Sequence, residues 1–257
     1  MNRNYNWIGL WTLTEKEITR FMSVYLQTII APVMTTILFY IVFAMAFAGA
    51  ERQIFGMSFM TFLAPGLVIM AMVQNAFANT SSSLIISKMQ GSINDLLIAP
   101  LTPLSLVAGY VLGAIVRGIL IGVVSILALM FLLKLPIYSF SIIVIFSVLG
   151  CGVMGFLGLL GGIWADKFDH LAAMTNFIIT PLTFLSGTFY SMKSLPIFWQ
   201  DLAQFNPFFY MIDGFRYGFI GVGDSNLVQG SIILSAINII LFMICYVMID
   251  KGYRIKS

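Results

Sequence analysis

Residues 104–133 read LSLVAGYVLGAIVRGILIGVVSILALMFLL, an apolar run interrupted by a single charge, Arg117. About 20 apolar residues suffice for a helix to cross the roughly 30 Å hydrocarbon layer, so this run is long enough to span a bilayer. Lipid offers no partner for a backbone N–H or C=O, which makes such a run an α-helix rather than a barrel strand. Five further stretches repeat the pattern, near 25–48, 59–84, 140–164, 171–190 and 228–249, with the charges confined to the breaks between them. The whole chain is 60% hydrophobic and only 9% charged. A soluble domain carries about 25% charged residues, so a water-soluble fold is excluded. The expectation is an all-α membrane protein with six transmembrane helices, in a single transmembrane domain over residues 1–257.

The ends of the spans set the orientation. Six crossings put both termini on one side, and Lys and Arg accumulate in cytoplasmic connections. With the termini inside, the inner side holds Arg3, Lys16, Arg20, Lys88, Lys167, Lys251, Arg254 and Lys256, against Arg52, Lys134, Lys193 and Arg216 outside. That bias predicts a multi-pass protein of a bacterial inner membrane with cytoplasmic termini. Phe21 to Ala48 is too long for the core of a cleaved leader and is expected to remain as a span. Before it, residues 1–22 place Trp7, Trp11, Ile18 and Phe21 near one helical face and Lys16 and Thr19 on the other. Such a segment suits an N-terminal amphipathic helix lying in the bilayer interface, with a disordered tail as the alternative. Cys151 and Cys245 fall inside apolar spans and say nothing about redox compartment. A net charge of +3, scattered along the chain, gives no nucleic-acid surface.

Glycines recur four residues apart in Gly109/Gly113, Gly118/Gly122 and Gly158/Gly162. Small residues at this spacing let membrane helices approach closely. The expectation is packing within one chain rather than a dimer seam.

Three segments depart from the pattern of plain spans. In the connection 88–100, Gly91 breaks the preceding helix, Ser92 with Asp95 resembles a capping box, and Pro100 closes a short helix. Its apolar positions Ile93, Leu96 and Leu97 have the spacing of helix-in-groove anchors, and this face could lie on lipid headgroups or enter a partner's groove. The connection 191–227 is the longest. Ser194 and Pro196 can start a helix carrying Leu195, Phe198, Trp199, Leu202 and Phe205, Asn206 and Pro207 end it, and Phe208, Phe209, Tyr210, Phe215, Tyr217 and Phe219 follow around Asp213 and Arg216. Short re-entrant helices on the outer side are expected, with a plain aromatic belt as the alternative. Arg117, mid-span, implies a buried partner or an aqueous cavity, with snorkelling as the alternative, weakened because the residue is about equally far from Leu104 and Leu133.

The chain as a whole resembles the ABC-2 type permeases, the membrane subunits of ATP-binding cassette exporters for drugs, polysaccharides and lipid-linked oligosaccharides. The resemblance is carried by Pro181, Gly187, Leu195-Pro196, Trp199, Asn206-Pro207, Tyr210 and Arg216, and by Asp95-Leu96-Leu97 with Pro100 and Leu101 at the place of the family's cytoplasmic coupling helix. The nodulation-factor and drug-export branch is the most similar. The resemblance implies a type V exporter-like fold, two copies of this subunit around a path, and a separate ATPase docked under each coupling helix. It also implies that Trp199, Asn206, Pro207, Tyr210 and Arg216 belong to an outer gate, and that an amphipathic lipid, glycan or drug-like substrate is exported. ATP and magnesium would be bound by the partner ATPase, and no cofactor by this chain.

The sequence contains no Gly-rich phosphate loop ending in Lys and Ser or Thr, so it has no site for nucleotide of that kind. A secondary transporter would carry ionisable groups at midplane, where only Arg117 is found. A membrane enzyme would need converging nucleophile, base or metal ligands. The single histidine, His170 beside Asp169, reads as a solvated helix cap. Neither catalytic nor metal-ligating residues are assigned.

Overall fold

The computed structural model describes residues 6–47, 53–93 and 98–254. Helix α1 (Trp7–Met22) begins where the Asn6 side chain accepts the Gly9 N–H at 2.9 Å. Its buried face is Leu10, Leu13, Thr14, Glu17 and Phe21, while Trp7 and Trp11 point outward. The expected segment is thus helical, but Phe21 parts from the tryptophans and faces the protein with Glu17. Helix α2 (Leu26–Ala46) opens with a π-helical segment, Leu26–Ile30, and carries Pro32 just beyond it. A short hairpin pairs Gln53–Ile54 (β1) with Met57–Ser58 (β2), and Ser58 caps helix α3 (Phe59–Met89). Helices α4 (Pro103–Met130) and α5 (Phe140–Trp164) follow.

Among the described residues, five helices are long and apolar enough to cross a membrane: α2 to α5, and α9 (Leu227–Asp250). The stretch expected as a span at 171–190 forms helix α6 over residues 168–184, in pieces of seven, five and five residues, with the middle piece, Thr175–Ile179, π-helical. It stops before 190 because the chain turns at Gly187, whose φ of 75° lies in the left-handed region that residues with a side chain seldom adopt. Helices α7 (Ile197–Gln204) and α8 (Pro207–Ile220) occupy the long connection.

Helix α3 is the axis of the bundle, packed against α2, α4, α5 and α8. Glycines make these approaches possible. A Cβ on Gly158 would lie 2.3 Å from the Phe77 carbonyl oxygen, one on Gly118 would meet Cys151 Sγ at 2.5 Å, and one on Gly162 would reach Leu84 Cβ at 2.9 Å. Gly109 and Gly113 seat α1, lying under Leu13 and Glu17. All three glycine pairs thus serve contacts within the chain.

The two ends of the bundle differ. At one end Asn6 Nδ2 donates to the Pro100 carbonyl (3.3 Å), Lys88 Nζ to the Ile163 and Ala165 carbonyls (2.6 and 3.1 Å), and Arg254 Nη1 to the Trp164 carbonyl (2.8 Å). Two cations there satisfy the carbonyls that the end of α5 leaves open, where the helix dipole is negative. The same contacts bring Asn6 and Arg254, the first and last residues but for the short ends outside the description, to this side. At the other end lie the hairpin, α7, the start of α9 and Lys193, whose Nζ is 5.4 Å from the Phe55 ring centroid.

Candidate functional site

Arg117 lies at the centre of α4 and is almost wholly buried. Its Nη2 donates to Asn75 Oδ1 of α3 (2.9 Å) and to the Thr28 carbonyl of α2 (3.4 Å). The second bond has a covalent cause. Pro32 has no N–H to return to the carbonyl four residues earlier, so the Thr28 oxygen is left for another donor. Asn75 also lines a cleft of about 320 Å³ between α2 and α3, with Gln27, Thr35, Thr36, Phe39 and Gln74. Arg117 is therefore held by neutral acceptors behind a cleft that opens on the surface of the bundle at the exposed Gln27, Thr35 and Phe39.

In the long connection, Asn206 ties the turn together. Its Nδ2 donates to the Leu182 carbonyl (3.0 Å) and Ser186 Oγ (2.8 Å), and its Oδ1 accepts the Phe208 N–H that starts α8 beside Pro207. Trp199, Asn206 and Pro207 come together around an apolar groove of about 260 Å³ that also includes Leu182, Leu195 and Leu202. Tyr210 does not join them. Its hydroxyl donates to the Gln204 carbonyl (3.0 Å), and it borders a polar cavity of about 240 Å³ with Lys193, Gln229 and Asp224. The outward stripe of α7 is exposed at Phe198, Leu202 and Phe205. The helix begins at Ile197 with Pro196, and not Ser194, in the capping position, and the Ser194 hydroxyl donates back to the Ser191 carbonyl.

Helix α8 is buried along most of its length, and with it Arg216 and Asp213. The Arg216 guanidinium stacks on Phe62 (3.8 Å to the centroid) and donates to the Gly187 carbonyl at 2.7 Å. Asp213 accepts the N–H groups of Asp224 and Ser225 (3.0 and 2.8 Å) and the Ser225 hydroxyl (2.6 Å). Asp224 in turn accepts Ser191 Oγ and the Met192 N–H. Asp213→Ala is expected to strand two backbone donors and remove the charge nearest Arg216, lowering stability by about 1.5–3 kcal/mol. Thermal unfolding in detergent measures this, with Asp213→Asn recovering part of the loss.

Of the connection 88–100, Asp95, Leu96 and Leu97 lie outside the described residues. Gly91 ends α3 with φ 71°. Ile93 is buried in a cluster that includes Leu13, Leu106 and Tyr110, whereas Ile98 and Pro100 are exposed. The side chain of Ile93 is thus used inside the chain, and Ile98 takes the outward position.

A polar cluster not anticipated from the sequence joins α1 to α3. Glu17, fully buried, accepts Ser83 Oγ at 2.7 Å and pairs with Arg20 at 3.0 Å, and Arg20 Nη2 reaches the Asn79 carbonyl and Oδ1 (2.9 and 3.0 Å). The signal was available: Leu10, Leu13, Glu17 and Phe21 share one helical face, so a carboxylate stood among the apolar contacts.

The described residues thus form an apolar bundle of membrane-length helices with a cleft between α2 and α3. Residues 9–220 match the ABC-2 type transporter family, and the chain belongs to it. It is a multi-pass membrane transporter subunit. The chain is 37% identical over 251 residues to the inner membrane transport permease YadH of Escherichia coli K12, covering 98% of both chains. It is also 23% identical over 229 residues to nodulation protein J of Rhizobium leguminosarum bv. viciae, covering 86% of this chain and 85% of that one.

Proposed function

We propose that this chain is the permease half of an ATP-driven exporter of the bacterial inner membrane, carrying an amphipathic substrate. The observation that supports this reading best is the family match over residues 9–220, joined to near full-length similarity to a transport permease. Two copies of the chain would face each other across the path, and a separate ATPase would bind below each.

In this reading α6 is the sixth crossing. Its start lies near Trp164, 5.4 Å from the His170 ring, while the chain after it meets Asp224 and Arg216 at the opposite end. A sixth crossing accounts for Asn6 and Arg254 lying at the same end, which the Lys and Arg bias assigns to the cytoplasm. The α2–α3 cleft beside Arg117 lies on the translocation path. The groove at Trp199, Asn206 and Pro207, with Tyr210 and Arg216 behind it, forms the outer gate, and α7 and α8 re-enter the outer leaflet.

The energy enters at residues 88–100. Asp95, Leu96, Leu97 and Pro100 contact the ATPase, with Ile93 anchoring the segment to its own bundle. Replacing Leu96 and Leu97 together by Asp is expected to abolish co-purification with the cognate ATPase while membrane insertion stays normal. Undiminished association of this variant would remove the docking proposal. A secondary transporter is disfavoured by the absence of buried midplane carboxylates among the described residues of the spans.

A further inference from the structure

Three buried arginine or glutamate centres can be compared within this one bundle. Glu17 pairs with Arg20 at 3.0 Å, and Arg216, whose Nε–H lacks an acceptor, has the carboxylates of Asp213, one helical turn earlier, and Asp224 in its neighbourhood. Arg117 has no carboxylate partner within ion-pair distance among the described residues. Its two bonds both run through Nη2 to neutral oxygens, and its buried Nε–H has no acceptor.

An unbalanced guanidinium at the centre of a span is unfavourable in hydrocarbon. That cost is relieved by an anion. The adjoining cleft supplies the rest of a site: the Gln27 and Gln74 amides carry no hydrogen bond among the described residues, while Phe39, Leu67 and Met70 form an apolar wall. About 320 Å³ accommodates a headgroup and the first carbons of a chain, and not a whole lipid. Asn75 stands between, its Oδ1 on Arg117 and its side chain on the cleft.

We infer that the α2–α3 cleft binds an oxyanion, phosphate or carboxylate, borne on an amphipathic molecule. Rotation of Asn75 exposes the Nε and Nη edge of Arg117, the geometry that holds an oxyanion through two parallel bonds. Gln27 and Gln74 complete the headgroup contacts. The identification of this ligand as transported substrate rests on the cleft being part of the path, whereas binding itself does not.

The probe is radiolabelled dodecyl phosphate, with zwitterionic dodecylphosphocholine as its partner, measured by scintillation proximity on the full chain in dodecyl maltoside. Saturable binding of dodecyl phosphate is expected, at least about tenfold tighter than the zwitterion, a difference of about 1.4 kcal/mol. Arg117→Gln should weaken it by a similar factor and Arg117→Lys should retain most of it. The double variant Gln27→Ala with Gln74→Ala leaves Arg117 and its bonds in place and should also weaken binding several-fold, which covers the case in which Arg117→Gln fails to fold. Equal affinity for the two probes, or binding unchanged in the cleft variant, overturns the site. In nanodiscs, displacement of the probe by phosphatidylglycerol assigns the oxyanion to a lipid headgroup, and its persistence assigns it to a free amphiphile. Charge-selective binding together with transport unaffected by the cleft variants would retain the site and reject its place on the path.

Discussion

Gly158→Val is expected to prevent recovery of a monodisperse protein, and Gly158→Ala to lower its thermal unfolding temperature by several degrees. The contact that decides this is backbone against backbone. A Cβ at residue 158 would stand 2.3 Å from the Phe77 carbonyl oxygen and 2.2 Å from Thr80 Oγ1. Neither can retreat. The Phe77 carbonyl belongs to the central helix α3, and Thr80 Oγ1 donates to the Gly155 carbonyl at 2.8 Å, a bond that fixes the α3–α5 spacing. Extra methylenes in a well-packed core cost about 1–3 kcal/mol when neighbours can adjust, and here a main chain would have to move. Gly155 provides the control, since a Cβ there meets Ala114 Cβ at 3.2 Å and Val111 Cγ1 at 3.4 Å, distances that small shifts absorb. Size-exclusion chromatography after heating in detergent separates the cases. Equal behaviour of Gly158→Val and wild type would mean that the helices do not approach this closely.

The legibility of this fold in its sequence follows from the physics of each feature. Lipid forces every span to be long, apolar and helical, so α3, α4, α5 and α9 appear where hydropathy puts them. The same constraint made the four-residue glycine spacing readable as close packing, although which helix fills each notch depends on tertiary structure. Helix α6 was harder, because Pro181 and the π-helical turn before it interrupt the regular repeat, and Gly187 ends it early. Pro32 and Pro181, each two residues after a π-helical segment, were the available markers. Arg216 illustrates the opposite limit. Read in sequence it is one of the cations of a long outer loop. In the fold it is buried on Phe62, because Asp213 and Asp224, eleven residues apart, close around the segment. Charge counting sees the residue type and misses the partner.

Glu17→Ala is expected to detach α1 from the bundle. One carboxylate here organises three elements: Oε1 accepts Ser83 Oγ from α3, Oε2 accepts Nε and Nη2 of Arg20, and Arg20 passes the contact to the Asn79 carbonyl and side chain. Gly113 of α4 makes room, since a Cβ there would lie 2.6 Å from Glu17 Cβ. Removing one member of a buried pair costs about 3–5 kcal/mol. The Arg20 side chain is 26% exposed and can turn toward water, which places this variant near the lower limit. Glu17→Gln keeps the acceptor for Ser83 and loses the charge, so its loss should be intermediate. The local consequence distinguishes detachment from general unfolding. Lys16 is exposed, and trypsin should cut after Lys16 and Arg20 faster in Glu17→Ala than in wild type, at temperatures where the rest of the bundle resists. The coupling should also be visible in a double-mutant cycle with Arg20→Ala, whose effect is largely spent once Glu17 is gone. Additive losses in that cycle would mean that the pair is not the clamp. Since α1 meets Pro100 through Asn6 and covers Gly109 through Leu13, a loosened α1 would also release the segment through which the ATPase is proposed to act.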